Sequence, residues 1–150
     1  NNAQEVSEMW EQVKLKEKGG NKTVLAGIPE SLPALVKAYR IQDKVANVGF
    51  DREKREDVWA KVKEEIAEFE VEVDHMDEAK ATEEMGDLIF ALVNAARLYN
   101  IRPDNALEKT NAKFIKRFNY IEQKAKEKGQ SLNDMTLDEM EALWQEAKKA

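Results

Sequence analysis

The sequence has 150 residues, about one domain's worth and enough to bury a core. Asp and Glu outnumber Lys and Arg by 30 to 24, a net charge of −6, which argues against nucleic acid as a main partner because backbone-phosphate binding needs a cation surplus. The chain has no cysteine and one histidine, His75, which excludes disulfides, thiol nucleophiles and Cys-based zinc sites and removes most metal triads and Ser-His-Asp chemistry. A small phosphate ligand stays open, since cations held by carboxylates reverse the local field. No apolar run reaches membrane-spanning length and no signal-peptide pattern opens the chain, so the expectation is a cytoplasmic protein with no membrane partner. The opening Asn1-Asn2-Ala3, without methionine, fits a piece of something longer.

In chain order, Val6, Met9, Trp10 and Val13 at helical spacing predict a short first helix near Glu5 to Lys18, ended by Gly19-Gly20. The stretch to Pro29 reads as a linker, which gives an organisation of 1–27 as helix and linker and 28–150 as the main domain. A second helix is expected from about Ser31-Leu32-Pro33, with Leu32, Leu35, Val36, Tyr39, Val45 and Val48 apolar and Gly49 as its breaker. Asp51 is the expected N-cap of a third helix, along which Val58, Val62, Ile66, Phe69 and Val73 form an amphipathic stripe. The fourth helix spans about Asp77 to Asn100. Between Gly86 and Ala96 its only polar residues are Asp87 and Asn94, a pattern that predicts burial on most sides. Pro103 opens a fifth helix with Leu107, Thr110, Phe114, Phe118 and Ile121 on one face and Gly129 beyond its end. Thr136 to Glu139 forms a capping box for a last helix carrying Met140, Leu143 and Trp144. The fold class predicted is all-α, a helical bundle with short loops.

The third and fourth helices carry the chemistry. Glu65 and Glu68 stand one turn apart on a stripe with Lys61 and Glu72, beside the apolar one. Glu84 and Asp87 repeat the device, sharing their stripe with Lys80, Ala91 and Asn94. Most Glu-rich helices are only solvated faces. Asp87 is different, because it sits in an apolar run, and a buried carboxylate is usually paired or metal-bound. Two such pairs on antiparallel neighbours bring four oxygen donors together, a set that suits Mg²⁺ or Mn²⁺.

Glu64-Glu65-Ile66-Ala67-Glu68 followed by Glu84-Met85-Gly86-Asp87 resembles the motif of the MazG family of nucleoside triphosphate pyrophosphohydrolases, with no departure at an acidic position. The stretch from Ala26 to Leu35, continuing through Val48-Gly49-Phe50-Asp51, looks like the segment before the second MazG domain of two-domain members. Asn111 to Phe118 is similar to the family's basic segment, and Met135 to Trp144 to its usual end, so the resemblance covers nearly the whole chain. It implies the all-α pyrophosphatase bundle working as a dimer, with Glu65, Glu68, Glu84 and Asp87 as magnesium ligands. It also implies that Lys61, Lys113, Arg117 and Trp144 contact the nucleotide, with Lys80 and Glu83 lining the site. Residues 1 to about 20 would then be an inter-domain helix following a first domain.

Under that reading, carboxylate-held Mg²⁺ neutralises a nucleoside triphosphate for water attack at the α-phosphorus, giving monophosphate and pyrophosphate. Lys113 and Arg117, one turn apart, suit a triphosphate clamp, and Glu64 or Glu83 is left to activate the water, Glu83 pointing nearer the site. A di-iron bundle would need two Glu-x-x-His pairs, and Glu72 to His75 supplies only one. The non-enzymatic alternative is a helical dimerisation module or a degenerate nucleotide-binding copy. A homodimer is expected because the fourth helix has more apolar surface than one partner can cover. The competing arrangement is a monomer whose Met9, Trp10 and Val13 fold back over that surface.

Overall fold

The computed structural model describes residues 2–17, with side chains to residue 12, then 23–51 and 54–150. The described residues form six α-helices and no strand: α1 (Asn2–Glu17), α2 (Ala34–Ala46), α3 (Arg55–Glu72), α4 (Glu78–Leu98), α5 (Pro103–Glu127) and α6 (Leu137–Lys149), with 3₁₀ turns at Val73–His75 and Leu132–Asp134. The all-α expectation is met. The predicted Gly19-Gly20 stop lies outside the described residues. The chain forms two compact units, Asn1–Asp104 and Asn105–Ala150.

In the first unit α3 and α4 pack along their length, joined by a connection too short for any but an antiparallel hairpin. Val58 and Val62 of α3 meet Ala91 and Ala95 of α4, with Leu98 packed on the cluster. The small alanines let the helix axes approach closely. Trp59 extends the contact beyond the core, its Nε1 donating to Tyr99 Oη at 2.9 Å.

α2 lies against α4 through Tyr39, Gln42 and Ala46, residues spaced three and four apart. Pro33 is the N-cap, so the helix starts after Leu32 and stops short of Val48. Gly49, at φ +94, closes it as a Schellman turn: Phe50 N donates to Val45 O and Gly49 N to Ala46 O. The predicted breaker is therefore correct, and the left-handed backbone is why glycine stands there.

Three expectations need correction. Asp51 does not cap α3, which starts at Arg55 after Lys54; its carboxylate instead accepts from Arg97 Nη2 at 2.8 Å. Second, α4 is not buried on most sides, because Met85, Ile89, Phe90 and Leu92 are well exposed. Its partners α2 and α3 cover one side only. Third, the competing arrangement, in which Met9 and Trp10 fold back over the fourth helix, is not seen, since both are exposed. α1 meets α2 by polar contacts, Gln4 Nε2 donating to Ala46 O at 3.0 Å and Lys44 pairing with Glu11 at 3.0 Å. The side chain of Val13 lies outside the described residues.

The second unit buries Ile121, Ala125, Met135 and Leu143, with Phe118, Leu132, Met140 and Trp144 against them. The capping box is present, with Glu139 N donating to Thr136 Oγ1 and Thr136 N to Glu139 Oε1. The Thr136 amide, and after it Gln130, holds the Glu139 carboxyl below the usual carboxylate range. A lowered carboxyl favours the folded state at neutral pH, and that contribution disappears as the pH falls through the lowered value.

Candidate metal and phosphate site

Two facts of helix geometry build the site. On α3, Lys61 and Glu65 are one turn apart on the edge facing α4; on α4, Lys80, Glu84 and Asp87 follow the same line toward α3. Where the antiparallel pair brings these edges together, Glu65, Glu84 and Asp87 each present an oxygen within 4.8 Å of the others. The reading of Asp87 as the buried carboxylate is wrong in its detail. Asp87 is exposed, since the apolar residues flanking it in sequence lie on other faces of α4, and the buried acid is Glu65, at 7% of full exposure.

Two lysines offset this charge. Lys61 Nζ lies 2.9 Å from Glu65 and 3.7 Å from Glu64, and Lys80 Nζ lies 2.9 Å from Glu84. The hydrogen bond to Glu65 holds the Lys61 ammonium above the usual lysine value, and the bond to Glu84 does the same for Lys80. Glu68 is exposed and stands outside the close trio, yet it feels it: partial desolvation, then the charges of Glu65 and Glu64, raise its carboxyl above the usual range. Three oxygen donors, one of them buried, and no nitrogen or sulfur ligand are what a hard divalent cation takes. The residues fit such an ion.

The trio opens onto a cleft of about 750 Å³ between α2, α3, α4 and the turn after α2. Lys61, Glu65 and Asp87 line it at the acidic end, and Asn94, Arg97 and Asp51 also line it farther along α4. Arg97 ties this far end together, reaching Asp51 at 2.8 Å, Asp43 at 3.4 Å and Asn94 Oδ1 at 3.1 Å. Apolar walls come from Ile41, Val45, Phe50, Phe90 and Ala91.

Sequence reasoning missed Gln42. It is 5% exposed, its Nε2 donates to Phe90 O at 3.0 Å, and its Oε1 is buried and meets no donor among the described residues. A buried acceptor left unpaired costs about 1–3 kcal/mol. The signal was available, because Gln42 is the one polar residue on the Tyr39–Ala46 face of α2.

Glu64 and Glu83 are both exposed. Glu64 is held by Lys61, whereas Glu83 has no ion pair among the described residues. Lys113, Arg117 and Trp144 lie in the second unit. There Arg117 stacks over Trp144 at 5.5 Å, and Trp144 packs on Phe114 at a centroid distance of 5.0 Å. Lys113 is exposed one turn before Arg117. His75 is exposed at the end of its 3₁₀ turn, with no part in the acidic trio.

Fold and site together define a class: an all-α protein that gathers carboxylates from two consecutive helices at the mouth of one cleft. Residues 53–121, which contain every one of those carboxylates, match the family model described as MazG nucleotide pyrophosphohydrolase domain. Over those residues the chain carries a MazG-type domain. It is 42% identical over 152 residues to the nucleoside triphosphate pyrophosphohydrolase of Escherichia coli (strain K12), covering 99% of this chain and 58% of the relative. It is 36% identical over 140 residues to a Thermotoga maritima protein named nucleoside triphosphate pyrophosphohydrolase/pyrophosphatase MazG, covering 93% of this chain and 54% of that one. A Bacillus subtilis relative, uncharacterized protein YabN, is 49% identical over 144 residues, 93% of this chain but 29% of its own length. The chain thus spans little more than half of the first two relatives, and less of the third.

A cation at the trio relieves like-charge repulsion that the lysines offset only in part. Saturating Mg²⁺, at about a hundredfold excess over its Kd, is expected to raise the melting temperature by roughly 5–10 °C. Glu65→Gln is expected to cut that rise by more than about half, because it removes the buried ligand charge. Differential scanning calorimetry with and without Mg²⁺ reads both. An unchanged rise in the variant would mean that the ion binds elsewhere.

Proposed function

We propose that the chain hydrolyses nucleoside triphosphates to the monophosphate and pyrophosphate in a Mg²⁺-dependent reaction, with Mn²⁺ an acceptable substitute. The observation that carries this reading is the convergence of Glu65, Glu84 and Asp87 at the mouth of a nucleotide-sized cleft. The names of the Escherichia coli and Thermotoga maritima relatives support it. Residues 28–150 would be the pyrophosphohydrolase domain, with 1–27 as the helix and linker leading into it.

Glu65, Glu84 and Asp87 would hold the metal, with Glu68 completing the set from one turn along α3. The bound ion supplies positive charge that neutralises the triphosphate and favours attack at phosphorus. The chain's own groups do the rest. Lys61 and Lys80, already poised on the acidic edge, exchange carboxylate partners for phosphate oxygens. Glu83 accepts the proton of the attacking water, a role that suits it better than Glu64 because it has no ion pair among the described residues. Water oxygen bonds to the α-phosphorus, the bond to the α–β bridging oxygen breaks, and pyrophosphate departs with that oxygen. The family resemblance further implies nucleotide contacts by Lys113, Arg117 and Trp144, of which Arg117 and Trp144 pair with each other as a cation and an aromatic face. A cytoplasmic setting suits this chemistry, and among the described residues no helix is long and apolar enough to cross a membrane.

A homodimer is part of the same reading. Met85, Ile89 and Leu92 of α4 and Leu107, Phe114 and Ile115 of α5 are exposed apolar side chains that a second copy would cover. Sedimentation velocity of the full chain is expected to give twice the monomer mass, and a monomer at micromolar concentration would contradict it.

Partial digests of each nucleoside triphosphate with Mg²⁺, separated by anion exchange, are expected to contain monophosphate and pyrophosphate only. Asp87→Asn should lower kcat/KM more than about a hundredfold, since even outer-shell partners of a catalytic metal are worth about 10–100-fold. Nucleoside diphosphate with orthophosphate among the products would place the chain in another class of hydrolase.

A further inference from the structure

We propose that Gln42 recognises the nucleobase, its Oε1 accepting a hydrogen bond from an N–H donor on the base edge. The inference rests on the nucleotide reading of the cleft and names a recognition residue within it.

The argument begins with the orientation of one amide. Gln42 Nε2 lies 3.0 Å from Phe90 O, and a main-chain carbonyl only accepts, so the NH₂ group must face it. Oε1 is thereby fixed on the other side as an acceptor. It is buried, it meets no donor among the described residues, and Gln42 lines the cleft. A helix-to-helix staple would need only the Nε2 half of this side chain. The Oε1 half is left over, an orphaned acceptor on a side chain that lines the cleft.

Asn94 supplies the complement. It lies one turn beyond Phe90 on α4, lines the same cleft, and its Oδ1 accepts from Arg97 Nε at 3.3 Å and Nη2 at 3.1 Å. With its oxygen engaged by a guanidinium, Asn94 has Nδ2 left to donate. Two lining side chains thus carry an orphaned acceptor and an oriented donor, the complement of a base edge with an N–H beside a ring nitrogen or carbonyl. Phe50 and Phe90, both exposed on its walls, offer flat apolar surfaces to the ring. The spacing is also right. Asn94 is seven residues from Asp87, roughly 10 Å along the helix at 1.5 Å per residue. That is the reach of a nucleoside whose first phosphate lies at the acidic end. All four common bases carry such a donor and acceptor side by side, so the pair reads the presence of a base edge and tolerates several bases.

The probes are matched nucleotides that differ by one donor. AMP is compared with purine riboside 5′-monophosphate, and CMP with 2-pyrimidinone riboside 5′-monophosphate, each second member lacking only the exocyclic amino group. Calorimetric titration of the full chain in Mg²⁺ is expected to show at least about tenfold weaker binding for each amino-free member, because its loss leaves Oε1 unpaired against the ligand. Gln42→Leu should bring the members of each pair within about twofold of each other while inorganic pyrophosphate binds as in the parent. Equal binding of the pairs by the parent chain, discrimination that survives in Gln42→Leu, or no nucleotide binding at all would each overturn the proposal. If the variant does not fold, the parent chain's two pairs decide the matter alone. Discrimination without triphosphate hydrolysis would sink the catalytic reading and leave this one standing; hydrolysis without discrimination would do the reverse.

Discussion

Carboxylates do not gather without a reason, and the close approach of Glu65, Glu84 and Asp87 is the feature on which the rest of the first unit depends. Two like unit charges 4 Å apart near a protein surface repel by about 4 kcal/mol. Against this the fold sets the α3–α4 packing, in which Val58, Val62, Ala91 and Ala95 fix the register that brings the acids face to face. It also sets Lys61 and Lys80, each one turn from an acid it neutralises. The core thus holds together what electrostatics would separate, and the lysines keep the arrangement tolerable. On the proposed reading, such a site would favour a cation and a polyanion together, because the ion would relieve the acids while the phosphates receive the lysines.

The cleft extends this logic along one helix. α4 carries Asp87 at the acidic end, the Phe90 carbonyl that orients Gln42 one turn on, and Asn94 and Arg97 beyond. Arg97 meanwhile anchors Asp51 and so holds the turn that Gly49 makes possible. On the proposed reading, this single element would order metal, phosphate and base subsites by simple helical rise, while α2 and α3 supply the opposing walls.

Much of this was legible in the sequence. Helix number and type followed from apolar periodicity and from the breakers at Gly49 and Gly129, and the capping box at Thr136 was read correctly. The i, i+3 spacing singled out Glu65, Glu84 and Asp87, although Glu68 stands outside their trio, and the family resemblance proved sound. What failed were inferences that needed the third dimension. Asp51 looked like a helix cap because its distant partner Arg97 lies 46 residues away. Asp87 looked buried because its neighbours in sequence are apolar, whereas burial depends on which face of α4 meets α3, and that face favours Glu65. Gln42 was hidden for a related reason. A single glutamine on an apolar stripe is ordinary in sequence, and only its orphaned oxygen gives it away.

The claim beneath all of this is that Glu65, Glu84 and Asp87 form one cation site. Crystals soaked in Mn²⁺ test it most directly, through the anomalous difference density of the ion. The account requires a peak between the three carboxylates, at about 2.0–2.2 Å from their oxygens, with Lys61 Nζ displaced from Glu65. A map at saturating Mn²⁺ with no peak there, or with Lys61 still bound to Glu65 and the ion elsewhere, would contradict it.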